Sequence, residues 1–316
     1  MKSSVVAWLC VICGGCGNVT GVADAPPAAI DAAVSDATPG VDGPGTDAPV
    51  SQARCDPAKP FNAPVLLANV NSSNEDLYLA LTRDEKTALI GRVVQPPTPS
   101  ATILGARRAS VSDSFGVPDA TVTAMINGAA GEEYSPSLVA DGLIVYFHRQ
   151  APGSGAIGIF AATRANDTAV FSAGTSVFVD GTALTNALSP TISADGQTLY
   201  WLDFSDFGKV YAATRNGEPT SFITKRSPAT VALGAAPVLS ADELTMYYAT
   251  GSSADVLVST RTTKTASFGT GVPVANVNSA ASDVPVALSN DGCVLYLSSA
   301  RGGLGGPDLW AATRPL

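Results

Sequence analysis

Apolar and polar positions recur along this chain in one compound pattern. The clearest unit opens at Ser189 as SPTISADGQTLYW: a short apolar run, an Asp-Gly pair, then alternation from Thr198 to Leu202. A loop follows, and a third run from Val210 ends in AATR at Arg215. Period-2 alternation marks half-buried strands, and Asp-Gly between two such runs is the strongest short hairpin signal. The unit returns as SPSLVADGLIVYF from Ser135, as APVLSADELTMYY from Ala236 and as VALSNDGCVLYLSS from Val286, closing at Arg164, Arg261 and Arg314. A weaker first copy, LALTRDEKTALIG from Leu79, closes at Arg108.

Two further landmarks keep step with these five copies. The turn acid appears as Asp84, Asp141, Asp195, Asp242 and Asp291, and an aromatic opens each unit as Phe61, Phe115, Phe171, Phe222 and Phe268. A fourth strand fits the stretch after each Phe. Repetition at about fifty residues with four strands per unit is the signature of a β-propeller, in which each sheet covers its neighbour's face. The fold class expected is therefore all-β, a propeller of five blades, with six the alternative if one unit is degenerate. The repeat begins in the Phe strand (FNAPVLLANV from Phe61) and ends after the third strand of the last copy, so the first strand can complete the last blade.

The SADG, LYW and ATR elements, and above all SSARGGLGGPDLWAATR from Ser298 to Arg314, resemble the TolB-type, WD-like repeat of bacterial envelope proteins. That resemblance covers nearly all of residues 61–316 and implies a propeller serving as an interaction platform. The amino-terminal domain of TolB has no counterpart here.

Before the repeats the pattern changes twice. Lys2 precedes an apolar run, Val5 to Cys13, that fits a secretory leader and is too short for a bilayer span, which needs about 20 residues. Cys13-Gly14-Gly15-Cys16 then resembles a bacterial lipoprotein processing box, which implies lipid attachment at Cys16 after removal of residues 1–15. Its departure from that box is Cys13, where the family carries an aliphatic residue. Residues 16–54 are rich in Ala, Pro, Gly and Asp, lack Lys and show no sustained period, so they read as a disordered tether. The propeller domain is then 55–316, and the address expected is the cell envelope, lipid-anchored to the outer membrane or facing the periplasm.

Composition adds limits. A hydrophobic share of 46% suffices for a core, and a net charge of −9 from 18 basic and 27 acidic residues opposes binding to nucleic acid. Cys55 lies just before the first repeat and Cys293 in the last. In an oxidising compartment a bridge between them would staple the ends of the ring; two unpaired thiols are the alternative.

Candidate chemistry is sparse. His148, the single histidine, has no partners spaced for a metal site or triad. SADGQTLYW lacks the spacing of an Asp box, and GGLGG at Gly302 to Gly306 follows no strand-to-helix context for phosphate, which leaves a flexible hairpin loop. Cofactors and metals are not expected. Near the starts of the inner strands the acids are Glu132, Glu133 and Asp283, the candidate ligand contacts. The function expected is a non-enzymatic binding platform for an envelope protein or glycan; the alternative is a surface glycoside-active enzyme using those three acids, since glycosidases need two converging carboxyl groups.

Overall fold

The structure is a computed structural model that describes residues 54–316 apart from 96–99, 129–130, 153, 207, 229–236 and 251–253. The proposed leader, Cys16 and nearly all of the tether lie outside the described residues. The chain forms a five-bladed β-propeller. The first described strand, β1 (Val65–Leu66), skips the unit that follows and pairs antiparallel with the last described strand, Val65 opposite Ala311 and Leu66 opposite Trp310.

Blade one holds β2 (Glu75–Leu81), β3 (Thr87–Val94) and β4 (Ser100–Arg107), with a single bridge from Gly105 to Asp119 in place of a fourth strand. Blade two is β5 (Glu132–Leu138), β6 (Ile144–Gln150), β7 (Ile157–Thr163) and β8 (Thr175–Ser176). The chain then makes a small hairpin, β9 (Phe178–Val179) and β10 (Thr182–Ala183), before β11 (Ala187–Ile192), β12 (Thr198–Asp203), β13 (Lys209–Arg215) and β14 (Ser221–Arg226) form blade three. That hairpin, which the repeat pattern does not announce, lies on blade three's outer edge with β9 parallel to β14. Blade four is β15 (Val238–Leu239), β16 (Thr245–Thr250), β17 (Asp255–Thr260) and β18 (Val272–Pro273). Blade five is β19 (Asp283–Leu288), β20 (Val294–Ser299) and β21 (Asp308–Thr313), completed by β1.

Five apolar layers fill the five gaps between blades. One joins Trp201 and Leu199 of blade three to Tyr146 and Ile159 of blade two, and another joins Tyr296 and Leu309 of blade five to Leu79 and Ile90 of blade one. Burial of such side chains, roughly 1.5–3 kcal/mol each, drives the blades together.

The in-phase landmarks have a shared physical cause. In every blade the turn carboxylate accepts the backbone N–H two residues on, at 2.8 to 3.0 Å. The residue after it adopts the left-handed conformation, with φ between 55° and 72° at Glu85, Gly142, Gly196, Glu243 and Gly292, which explains Asp-Gly in three blades. The closing arginine then donates to the carbonyl of that left-handed residue, from Nε at 2.7 to 3.1 Å in four blades and from Nη1 of Arg215 at 3.4 Å in blade three. In those four blades it also lies over the blade's Phe, 4.0 to 4.4 Å from the ring centre. Asp turn, ATR arginine and Phe are thus one staple, and their repetition is structural.

Ring closure is reinforced at the seam. Cys55 and Cys293 are joined by a disulfide, with Cα atoms 5.6 Å apart. Beside it Arg54 pairs with Glu85 of blade one at 2.7 Å and Asp291 of blade five at 2.8 Å.

Candidate active site at the channel mouth

The five inner strands all start at the same end of the ring, here called the mouth, and surround a central channel of about 440 Å³. Among the described residues their channel-facing edges have no strand partner, so proline costs no ladder bond there: Pro136, Pro190 and Pro285 line the channel. Bulges next to these prolines, with Ser135 and Ser189 at φ of 47° and 50°, shift the register of β5 and β11 and turn side chains toward the axis.

At the mouth, Glu133 and Asp283 are enclosed. Glu133 is 1% exposed and accepts Arg149 Nε at 2.8 Å, while Arg149 also donates to the Ala173 carbonyl. Burial raises the pKa of Glu133 against the opposing pull of that guanidinium. Asp283 is fully buried and holds Ser279, Ser299 and Arg301. Asp76 does the same in blade one with Arg92, at 2.7 Å. In these three blades an acid near the start of the inner strand is neutralised by an arginine on or just after the second strand. Glu133 and Asp283 therefore brace the sheet and are not open to a ligand in the way their sequence positions suggest.

Glu132 is different. It is half-buried, and its Oε2 accepts the Tyr134 hydroxyl at 2.9 Å. Tyr134 stacks on His148, ring centres 5.0 Å apart and nearly parallel. Burial pushes the His148 pKa down to about 3, so the ring is neutral, and its Nδ1 faces the Ser189 N–H at 3.4 Å.

One blade over, Glu75 occupies the equivalent place. EDLY of blade one matches EEYS of blade two: the second acid pairs with an arginine directly across the ladder, Asp76 with Arg92 and Glu133 with Arg149, and the first, being next along the strand, sits on the opposite face. Glu75 Oε2 is buried with no hydrogen-bond donor among the described residues. Burial raises the Glu75 pKa, opposed by a hydrogen bond from Gln95. Tyr78 packs with Tyr134 in the layer between blades one and two, and burial, with a smaller contribution from the Glu75 carboxylate, raises the pKa of its hydroxyl. Glu75 and Tyr78 escape a reading based on the repeat because the first copy lacks the Ser-Pro element; the doubled acid was the available signal.

The GGLGG segment covers this corner by close packing. A Cβ on Gly306 would stand 2.5 Å from Glu75 Cγ, and one on Gly305 would stand 2.3 Å from the Ser73 carbonyl oxygen. The run is a lid pressed on blade one, where the sequence suggested a flexible loop. Among the described residues no three His, Cys, Asp or Glu side chains come together to hold a metal ion.

No family model and no curated protein sequence matches the chain. Solved structures do. The chain resembles a GH43_1 enzyme from Xanthomonas citri complexed with xylotriose (TM-score 0.58, 12% identity, covering 79% of this chain and 89% of that one). It also resembles the catalytic domain of the GH62 α-L-arabinofuranosidase of Coprinopsis cinerea (TM-score 0.52, 13% identity, 81% and 97%). TolB from Acinetobacter baumannii is a weaker match (TM-score 0.44, 15% identity, 78%), and the chain spans only 56% of its length. At such identities the likeness is one of fold. It nonetheless corrects the expectation of a non-enzymatic binding platform, which leaned on the TolB-type repeat: the better-fitting propellers are catalysts acting on carbohydrate, and the sequence's alternative, a glycoside-active enzyme, accords with them.

Proposed function

We propose that this protein is a glycoside-active enzyme whose reaction takes place at the channel mouth, with Glu75 as general acid and Glu132 as the second carboxyl. The observation carrying this reading is the unlike environment of two equivalent carboxyls on adjacent inner strands. Glu75 is partly buried, with one oxygen lacking a donor, which favours the protonated form needed to protonate a leaving glycosidic oxygen. Glu132 accepts a phenolic hydroxyl at Oε2, which holds the carboxyl in place to activate water or attack the sugar. Tyr78 and Tyr134 offer apolar ring surface beside both acids, as sugar binding requires. The enzymatic likenesses in fold accord with this assignment.

The test is turnover of 4-nitrophenyl α-L-arabinofuranoside, 4-nitrophenyl β-D-xyloside, xylotriose and arabinoxylan across pH, chosen for the carbohydrates of the similar enzymes. Activity should fall as pH rises through the elevated Glu75 pKa, because the acid loses its proton there, and Glu75→Gln should remove that alkaline limb. No hydrolysis by the unaltered protein at any pH would refute the proposal.

The proposal extends to location. The apolar leader and the Gly-Gly-Cys16 sequence support export and lipid attachment at Cys16, with residues 17–54 spacing the propeller from the membrane. Metabolic labelling with a clickable fatty acid should mark the full chain and spare Cys16→Ser; equal labelling of both would overturn the anchor.

A further inference from the structure

The mouth leads into a channel that the two glutamates do not explain. At about 440 Å³ it falls within the range of small-molecule sites, and its walls are largely aliphatic, with Leu77, Pro136, Leu188, Leu239, Val284 and Leu288 contributing. Among the described residues no Asp, Glu, Lys or Arg lines it. A hydrophilic oligosaccharide threaded here would trade water for hydrocarbon over most of its surface, a loss for each hydroxyl left unsatisfied. A charged ligand would fare worse.

The polar side chains on the described wall are two tyrosines, one histidine, five serines and one threonine, all uncharged and spread over blades one, two, three and five. Tyr78 and Tyr134, which also border the acids, both line it. So does His148, whose neutral ring receives the Ser189 N–H at Nδ1 and therefore carries its proton on Nε2, giving one donor for a ligand oxygen. The channel is thus a largely apolar sleeve dotted with uncharged hydroxyls, with its ring-bearing polar groups, Tyr78, Tyr134 and His148, on the blade-one and blade-two side.

We infer that the channel binds an uncharged, predominantly apolar small molecule or moiety; resting on the glycosidase reading, this is the aglycone of a glycoside whose sugar sits at Glu75 and Glu132. The substrate class is then a sugar linked to an alkyl, terpenoid or similar hydrophobic alcohol, with the apolar part excluded from water along its length. Burial of the aglycone supplies binding energy that a plain pentoside lacks.

Isothermal titration with 1-octanol, octanoate at pH 7.5, methyl β-D-xyloside and octyl β-D-xyloside tests this. Octanol should bind and raise the melting temperature, octanoate should bind at least tenfold more weakly, and octyl xyloside at least tenfold more tightly than methyl xyloside. Val284→Arg, placing a cation on the wall at a side chain outside the interblade apolar clusters, should weaken octanol binding tenfold or more. Its melting temperature shows whether it folds, and the octanol shift of the unaltered protein stands independently of it. Absence of both heat and shift with octanol, octanoate binding as well as octanol, or undiminished binding by a folded Val284→Arg would overturn the inference. Octyl xyloside bound but never cleaved upholds the channel site and removes the glycosidase reading. Cleavage of methyl and octyl xylosides with equal affinity does the reverse.

Discussion

Glu132→Gln is expected to lower kcat on any glycoside the protein cleaves by a factor of about 10² to 10⁴, the usual contribution of a positioned acid or base, with KM changed little. The amide keeps the size of the side chain and can still accept the Tyr134 hydroxyl through its carbonyl oxygen, so the fold at the mouth should persist. What it loses is the negative charge needed to activate water or to stabilise a developing oxocarbenium ion. Steady-state kinetics on the best substrate, with a matching thermal melt, separate the two effects. A variant within about threefold of the unaltered enzyme would remove Glu132 from the chemistry, since a general base supplies at least ~10²-fold.

Loss of the Cys55–Cys293 bridge should be the largest single effect on stability. The two residues are 238 apart in sequence. The chain-entropy model gives about 5 kcal/mol for a loop of this length, or roughly 10–20 °C in melting temperature for a domain of this size. The bridge lies at the seam where β1 meets β21, so its loss frees the one blade built from both ends of the chain. Arg54 would still join Glu85 and Asp291, but partly exposed ion pairs contribute little each. Denaturation of Cys55→Ser/Cys293→Ser against the oxidised protein measures this. A drop below about 1 kcal/mol would mean that the apolar layer between blades five and one closes the ring unaided.

The propeller is legible in sequence because the staple of Asp turn, arginine and Phe needs the same residue types in each blade. Where that chemistry is altered the reading weakens: in blades one and four the left-handed turn position carries Glu85 and Glu243, whose buried carboxylates pair with Arg108 and Lys264. The hairpin β9–β10 was invisible, since it belongs to no repeat and pairs only across the edge of the next blade. The candidate site was half visible. Glu132 stood out beside a Ser-Pro element, but which acid of a pair is open depends on the arginine across the ladder, a relation of strand register. Gly305 and Gly306 likewise look like loop residues until Ser73 and Glu75 are seen beneath them.

The partnership of β1 with β21 also governs the order in which the molecule can assemble. During synthesis β1 emerges before the other described strands, yet its mate β21 follows all of them, so it must wait unpaired while four blades form around their local hairpins. The blades themselves are built from near neighbours in sequence and can form early; the ring cannot. Completion of the mouth, where Pro307 of the closing blade accepts the backbone N–H of Asp76 beside Glu75, is therefore the final event of folding. A chain halted before blade five would carry both glutamates and still have no site.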